Sequence, residues 1–190
     1  MRTANRAKVL VLALAGVLVL HAGRGADDPK ALAVGTRISV VEADREQVRL
    51  ARWAATRFES AGLGAPAVEI HFHTDASGCG DHLGYARRGR VDVCTVLVNE
   101  MARRNLLHEM GHIWIDEHVS QTVRERFLKL RGLRAWNASA DPWGERGYEQ
   151  GAEIMAWALG TRILSAQIPG NDPVQLAAGF ELLTGVQTPG

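Results

Sequence analysis

Three residues constrain this chain more than any others: His108, Glu109 and His112, in the run His108-Glu109-Met110-Gly111-His112. The run lies within Asn99 to Val119, where spaced apolar residues (Met101, Leu106, Leu107, Met110, Ile113, Trp114) and the lack of an interior proline predict one long helix. Four residues make about one helical turn, so both imidazoles leave the same face. Two neutral imidazoles at that spacing can clasp one Zn²⁺. Glu109 is turned about 100° from His108, which places it beside such an ion, where a carboxylate can take a proton from a water that the metal activates. The bland alternative is a charged helix with two histidines on its wet side. Leu106, Leu107, Met110, Ile113, Trp114 and Ile115 argue against it. Such a segment is a core helix, and a buried pair of histidines needs partners.

Three sources of a third ligand are open. The first is a second apolar segment, Gly147 to Trp157, which carries Glu149 and Glu153 one turn apart and so on one face. One of these carboxylates can bind the metal while the other accepts the free ring N–H of a ligating histidine. The second is His118, six residues after His112. This is the outer spacing of the metzincin pattern HExxHxxGxxH, but Ile115 stands where the glycine would let the chain turn back to the metal. A continuing helix rotates His118 by about 240°, to the far side. The third is Cys79 or Cys94, since peptide deformylases also carry HExxH with a cysteine ligand. Two cysteines in an exported chain more simply form one bridge, closing a loop of about 15 residues and contributing about 3 kcal/mol in the loop-entropy picture. Two buried free thiols are the alternative.

The pair HEMGH with Glu149 following 37 residues after His112, in E-x-x-A-E, resembles the gluzincin branch of the zincin metallopeptidases. The resemblance covers Val91 to Leu164. It implies one catalytic Zn²⁺ held by His108, His112 and Glu149, with Glu153 supporting a histidine and Glu109 as general base. It also implies that the strand before the active helix, here Arg90 to Val98, borders the cleft and pairs with extended substrate. No motif identifies the residue that stabilises the oxyanion; Tyr148 and His118 are the candidates at hand.

Around this centre the chain reads simply. Met1 to Gly25 has the form of a signal peptide: Arg2, Arg6 and Lys8, then 12 apolar residues from Val9 to Leu20, then small residues. Twelve residues are too few for a membrane-spanning helix, which needs about 20. Thr36 to Val41 reads as a strand, and Asp44 to Ala61 as a helix capped by Asp44. Val68 to Thr74 alternates as a half-buried strand, with Glu69, His71 and His73 on its polar face. His71 and His73 could share a metal, but a solvated strand face is the simpler reading. Ala76 to Arg90 reads as a glycine-rich loop. After the active helix come a helix from Ser120 to Arg131, a loop from Trp136 to Gly147, the glutamate helix to about Leu164, and a last helix from Asn171 or Asp172 to Gly185. Trp136 and Trp143 either wall the cleft or cap the core.

Removing residues 1–25 takes four basic residues and no acid, leaving 18 basic against 21 acidic, a net charge of −3. With no basic stripe left, nothing argues for nucleic-acid binding. The expected protein is therefore an α+β chain, zincin-like, with a small mixed sheet packed on an active-site helix and further C-terminal helices. Residues 26–190 form its single domain. It is expected to be a monomer, outside the cytoplasm or in the cell envelope, with no stable membrane span after signal cleavage, hydrolysing a protein or peptide. Two competing readings are a non-enzymatic exported binding domain with a structural zinc, and a zinc amidase acting on cell-wall or small amides.

Overall fold

The computed structural model describes residues 31–34, 37–80, 82–95 and 97–189, so the expected signal peptide lies outside the described residues. Among the described residues the fold is α+β: a five-stranded mixed sheet and five α-helices. Among the described residues no helix is long and apolar enough to cross a membrane.

The first strands are β1 (Ala31–Val34), absent from the sequence reading, and β2 (Ile38–Val41), which pair antiparallel. Helix α1 (Arg45–Ser60) begins where the carboxylate of Asp44 accepts the backbone N–H groups of Glu46 and Gln47, while the Gln47 side chain accepts the N–H of Asp44. This reciprocal cap satisfies donors that a helix start otherwise leaves bare. The chain then returns as β3 (Val68–His73), parallel to β2. Val68 and Ile70 join the core, as their alternation predicts.

Ala76 to Arg90, expected to be a loop, contains a 3₁₀ turn at Ala76–Cys79 and a strand, β4 (Gly84–Arg87). β4 forms a hairpin with β5 (Arg90–Cys94) across Arg88 and Gly89, both at positive φ (35° and 77°). A two-residue turn of that kind is normally announced by Asn-Gly or Asp-Gly. Arg-Gly gives no such signal, and four residues are too short to show alternation.

The strand order β1-β2-β3-β5-β4 corrects a second expectation. β5 ends at Cys94, not Val98, and it is an interior strand, parallel to β3 and antiparallel to β4. The edge beside the active helix is therefore β4. Cys79 and Cys94 are joined by a disulfide with Cα atoms 6.1 Å apart, which ties the 3₁₀ turn to the end of β5.

Helices α2 (Glu100–His118), capped by Asn99, and α3 (Gln121–Arg131), capped by Ser120 and closed by Gly132 at φ 66°, follow the sequence reading closely. Leu106, Leu107, Met110 and Ile115 are completely buried, between the sheet residues Val40, Ile70, Val91 and Val93 and the later helices. Helix α4 (Gly147–Leu159) stops five residues before the expected Leu164. Its final carbonyls find donors in a distant residue: the Arg57 side chain of α1 donates to the oxygens of Leu159 and Gly160. Helix α5 (Pro173–Thr184) starts at the Asp172 cap with Pro173 in its first turn. Val174 is 78% exposed, while Leu176, Phe180 and Leu183 are buried.

Candidate metal centre

The site is made by α2 and α4 lying against each other in opposite directions: Leu107 meets Gly160, Gly111 meets Ala152 and Met155, and Ile115 meets Gly151. Small residues let the helices approach this closely. A Cβ on Gly111 would come within 3.1 Å of Met155 Cβ and 3.4 Å of the Ala152 backbone, and one on Gly151 within 3.0 Å of Ile115. The start of α4 is similarly wedged, since a Cβ on Gly147 would lie 2.7 Å from Leu128 and 2.8 Å from Trp136. The result is that Glu149 and Glu153 face the histidines of α2.

Three donor atoms converge there. His108 Nε2 and His112 Nε2 are 3.1 Å apart, and Glu149 Oε2 lies 3.3 Å from the first and 3.2 Å from the second. Among the described residues this is the one group of three or more metal-ligating side chains gathered tightly enough to share an ion. Donor atoms held about 2.0–2.1 Å from a tetrahedral zinc lie about 3.3 Å from one another. The triangle thus has the edges that such an ion requires, and two imidazoles with one carboxylate are ligands that suit it. Glu149 is in the first turn of α4, where the helix dipole favours negative charge.

The charges around His108 are arranged to hold a cation. Burial alone would lower its pKa, but hydrogen bonds to Glu149 and Glu153 carry it up to about 9. Burial keeps His112 below its ordinary value. Glu149 resists burial and is held far below the usual carboxylate range by its bonds to both histidines. Glu109, 8% exposed, behaves oppositely: burial pushes it up to about 7, against the pull of His108. Its carboxylate rests on the edge strand, where a Cβ on Gly84 would come within 2.7 Å of Oε1.

Glu153 supports His108 directly. Its Oε2 lies 3.2 Å from His108 Nδ1, and its Oε1 accepts the Gln167 backbone N–H at 2.7 Å and a bond from Arg104. These partners hold Glu153 ionised despite burial. Arg104 escaped the sequence reading, although the signal was present: Arg104, His108, His112 and Asp116 recur every four residues and form one stripe of α2.

The other candidates fall elsewhere. His118 donates from Nδ1 to the Trp114 carbonyl at 2.9 Å and stacks on the Trp114 ring, so it takes no part in the donor group. Cys79 and Cys94 are committed to their bridge. Tyr148 stacks on His112 with ring centroids 4.0 Å apart, and its hydroxyl donates to Asp116 Oδ2 at 3.0 Å. The two tryptophans divide the roles left open for them. Trp143 stacks over His108 at 5.7 Å, whereas Trp136 packs on Phe127 and Tyr148 against the core. His71 and His73 are half-buried beside carboxylates rather than bare in solvent: His71 is 2.5 Å from Glu69, and His73 is 2.7 Å from Asp92, which Arg90 also holds.

The chain matches no protein-family model, and no curated protein and no solved structure is significantly similar to it.

Proposed function

We propose that this chain is an exported zinc-dependent metallopeptidase, with His108, His112 and Glu149 as metal ligands. The observation that carries the proposal is the triangle of donor atoms with edges of 3.1–3.3 Å, with the buried carboxylate of Glu109 next to it in sequence. A zinc ion in this place supplies a Lewis acid that polarises a carbonyl and makes water nucleophilic near neutral pH. Glu109 takes the proton from the attacking water and returns it to the leaving nitrogen. Its pKa of about 7 in the zinc-free protein reflects the apolar surroundings that suit a proton carrier.

The edge strand supplies the orientation. Among the described residues β4 is the outermost strand of the sheet at this end, and it passes against Glu109, so an extended peptide that adds to this edge brings its own carbonyls past the general base. Leu83 and Tyr85, both exposed, give that edge apolar contacts for alternate substrate side chains. Trp143 stacks on the His108 ring and adds an aromatic wall to the site.

The test is cleavage of a mixed peptide library by the wild type and by Glu109→Gln, with zinc content measured on both. Cleavage by the wild type alone, with one zinc in each protein, is the expected result. Bound zinc without peptide cleavage in either protein would point to small amides as substrates or to a structural ion. Absence of zinc from both would overturn the proposal.

A further inference from the structure

The two histidines of the centre are supported unequally. His108 Nδ1 has the carboxylate of Glu153 at 3.2 Å. Among the described residues, buried His112 Nδ1 has no hydrogen-bond partner. An imidazole that binds through Nε2 is ordinarily oriented by a partner on its other nitrogen, so something else must fix the His112 ring. The ring has one close aromatic neighbour on α4, Tyr148, nearly parallel at 27° and 4.0 Å away. Tyr148 is itself held at its far end, where its hydroxyl donates to Asp116 Oδ2. Asp116 Oδ1 in turn accepts from Arg124 at 3.4 Å, and the Arg124 guanidinium lies over Trp136, 5.2 Å from the ring centre. Trp136 closes the group by meeting Tyr148 edge to face.

We propose that Asp116 is a positioning residue for the metal centre, acting on His112 through Tyr148. Asp116 stands one turn beyond His112 on the same stripe of α2, and it anchors the phenol that lies flat against the imidazole. The arrangement repeats that of His108 with one part inserted: an arginine-clamped carboxylate touches His108 directly, while a second arginine-clamped carboxylate reaches His112 by way of an aromatic ring. Tyr148 is committed by this to orienting a ligand. The inference rests on the metallopeptidase reading for its consequence, the affinity for zinc, but the orientation of His112 can be read without metal.

Two measurements separate those claims. Histidine-ring NMR on the zinc-free full chain is compared for wild type, Asp116→Ala, Tyr148→Phe and Asp116→Asn. The His112 ring resonances should shift or broaden in Asp116→Ala and Tyr148→Phe while those of His108 stay in place, and Asp116→Asn, which keeps an acceptor oxygen, should restore the wild-type pattern. Unchanged His112 resonances, or equal changes in both histidines, would overturn the proposal. Zinc titration of the same proteins should show affinity about tenfold weaker in Asp116→Ala and Tyr148→Phe, at the lower end of the 10–100-fold cost of losing an outer partner. If wild type takes up no zinc, the peptidase reading fails, and the NMR comparison still decides the role of Asp116.

Discussion

The His108 and His112 sides of the centre are built from the same kinds of residue in different surroundings. On the His108 side, Glu153 and Arg104 have side chains 0% and 14% exposed, and every link is direct. On the His112 side, Asp116 and Arg124 are 53% and 22% exposed, and Tyr148 stands between carboxylate and imidazole. An interior ion pair cannot lose one partner without leaving a bare charge in low dielectric, whereas solvent screens a surface pair. The comparison teaches that one histidine is fixed by groups inside the folded core, while the other is reached through groups nearer the solvent.

The sharpest way to break this asymmetry is Glu153→Ala. It strands the Arg104 guanidinium and removes the partner of His108 Nδ1, so unfolding stability should fall by about 3–5 kcal/mol, read by thermal or denaturant unfolding. A loss under 1 kcal/mol would place the two sides on an equal footing.

Next in size is the effect of pH on the zinc-free protein. Glu109 has a folded pKa of about 7 against its ordinary 4.5, so the unfolded chain loses this proton first and stability falls as pH rises from 4.5 to 7. The shift corresponds to about 3 kcal/mol at the top of that window. His108, raised from 6.5 to about 9, contributes stability that is complete below 6.5 and lost as pH rises through 9. Both act in the same direction. Denaturant titrations between pH 4.5 and 9 should show a decline from these two groups, opposed below pH 6.5 by His112, which burial holds below its ordinary value, and Glu109→Gln should flatten the lower half of the decline.

Gly111→Val tests whether the close helix approach is what gathers the donors. Its new carbons have no room against Met155 and Ala152. Overpacking of this kind should cost about 1–3 kcal/mol, and zinc uptake should fall with it because Glu149 is pushed from the histidines. Retained zinc affinity would show that α4 can adjust. The smallest effect is expected for Asp116→Ala, below about 1 kcal/mol in stability, although its zinc affinity is reduced. That split between stability and affinity is what distinguishes the His112 side.

Much of the centre was legible before any fold was known. The i, i+4 spacing of His108 with His112 and of Glu149 with Glu153 depends only on helix geometry, as do the caps at Asp44, Ser120 and Asp172. Those features are local, so neighbouring residues suffice to determine them. The same stripe extended to Arg104 and Asp116, but a charge at either end of it has no meaning until its partner is known.

What only the tertiary structure decided depends on residues far apart in the chain. The hairpin of β4 and β5 makes Gly84–Arg87 the edge strand through pairing, which four residues without an Asn-Gly turn cannot announce. The end of α4 at Leu159 is met by Arg57, about a hundred residues earlier, whose side chain donates to the last carbonyls. Trp143 and Trp136, equivalent in composition, diverge because one meets His108 and the other Phe127. The sequence by itself determined which side chains share a helical face; the packing of α2 on α4, permitted by Gly111 and Gly151, decided which faces meet.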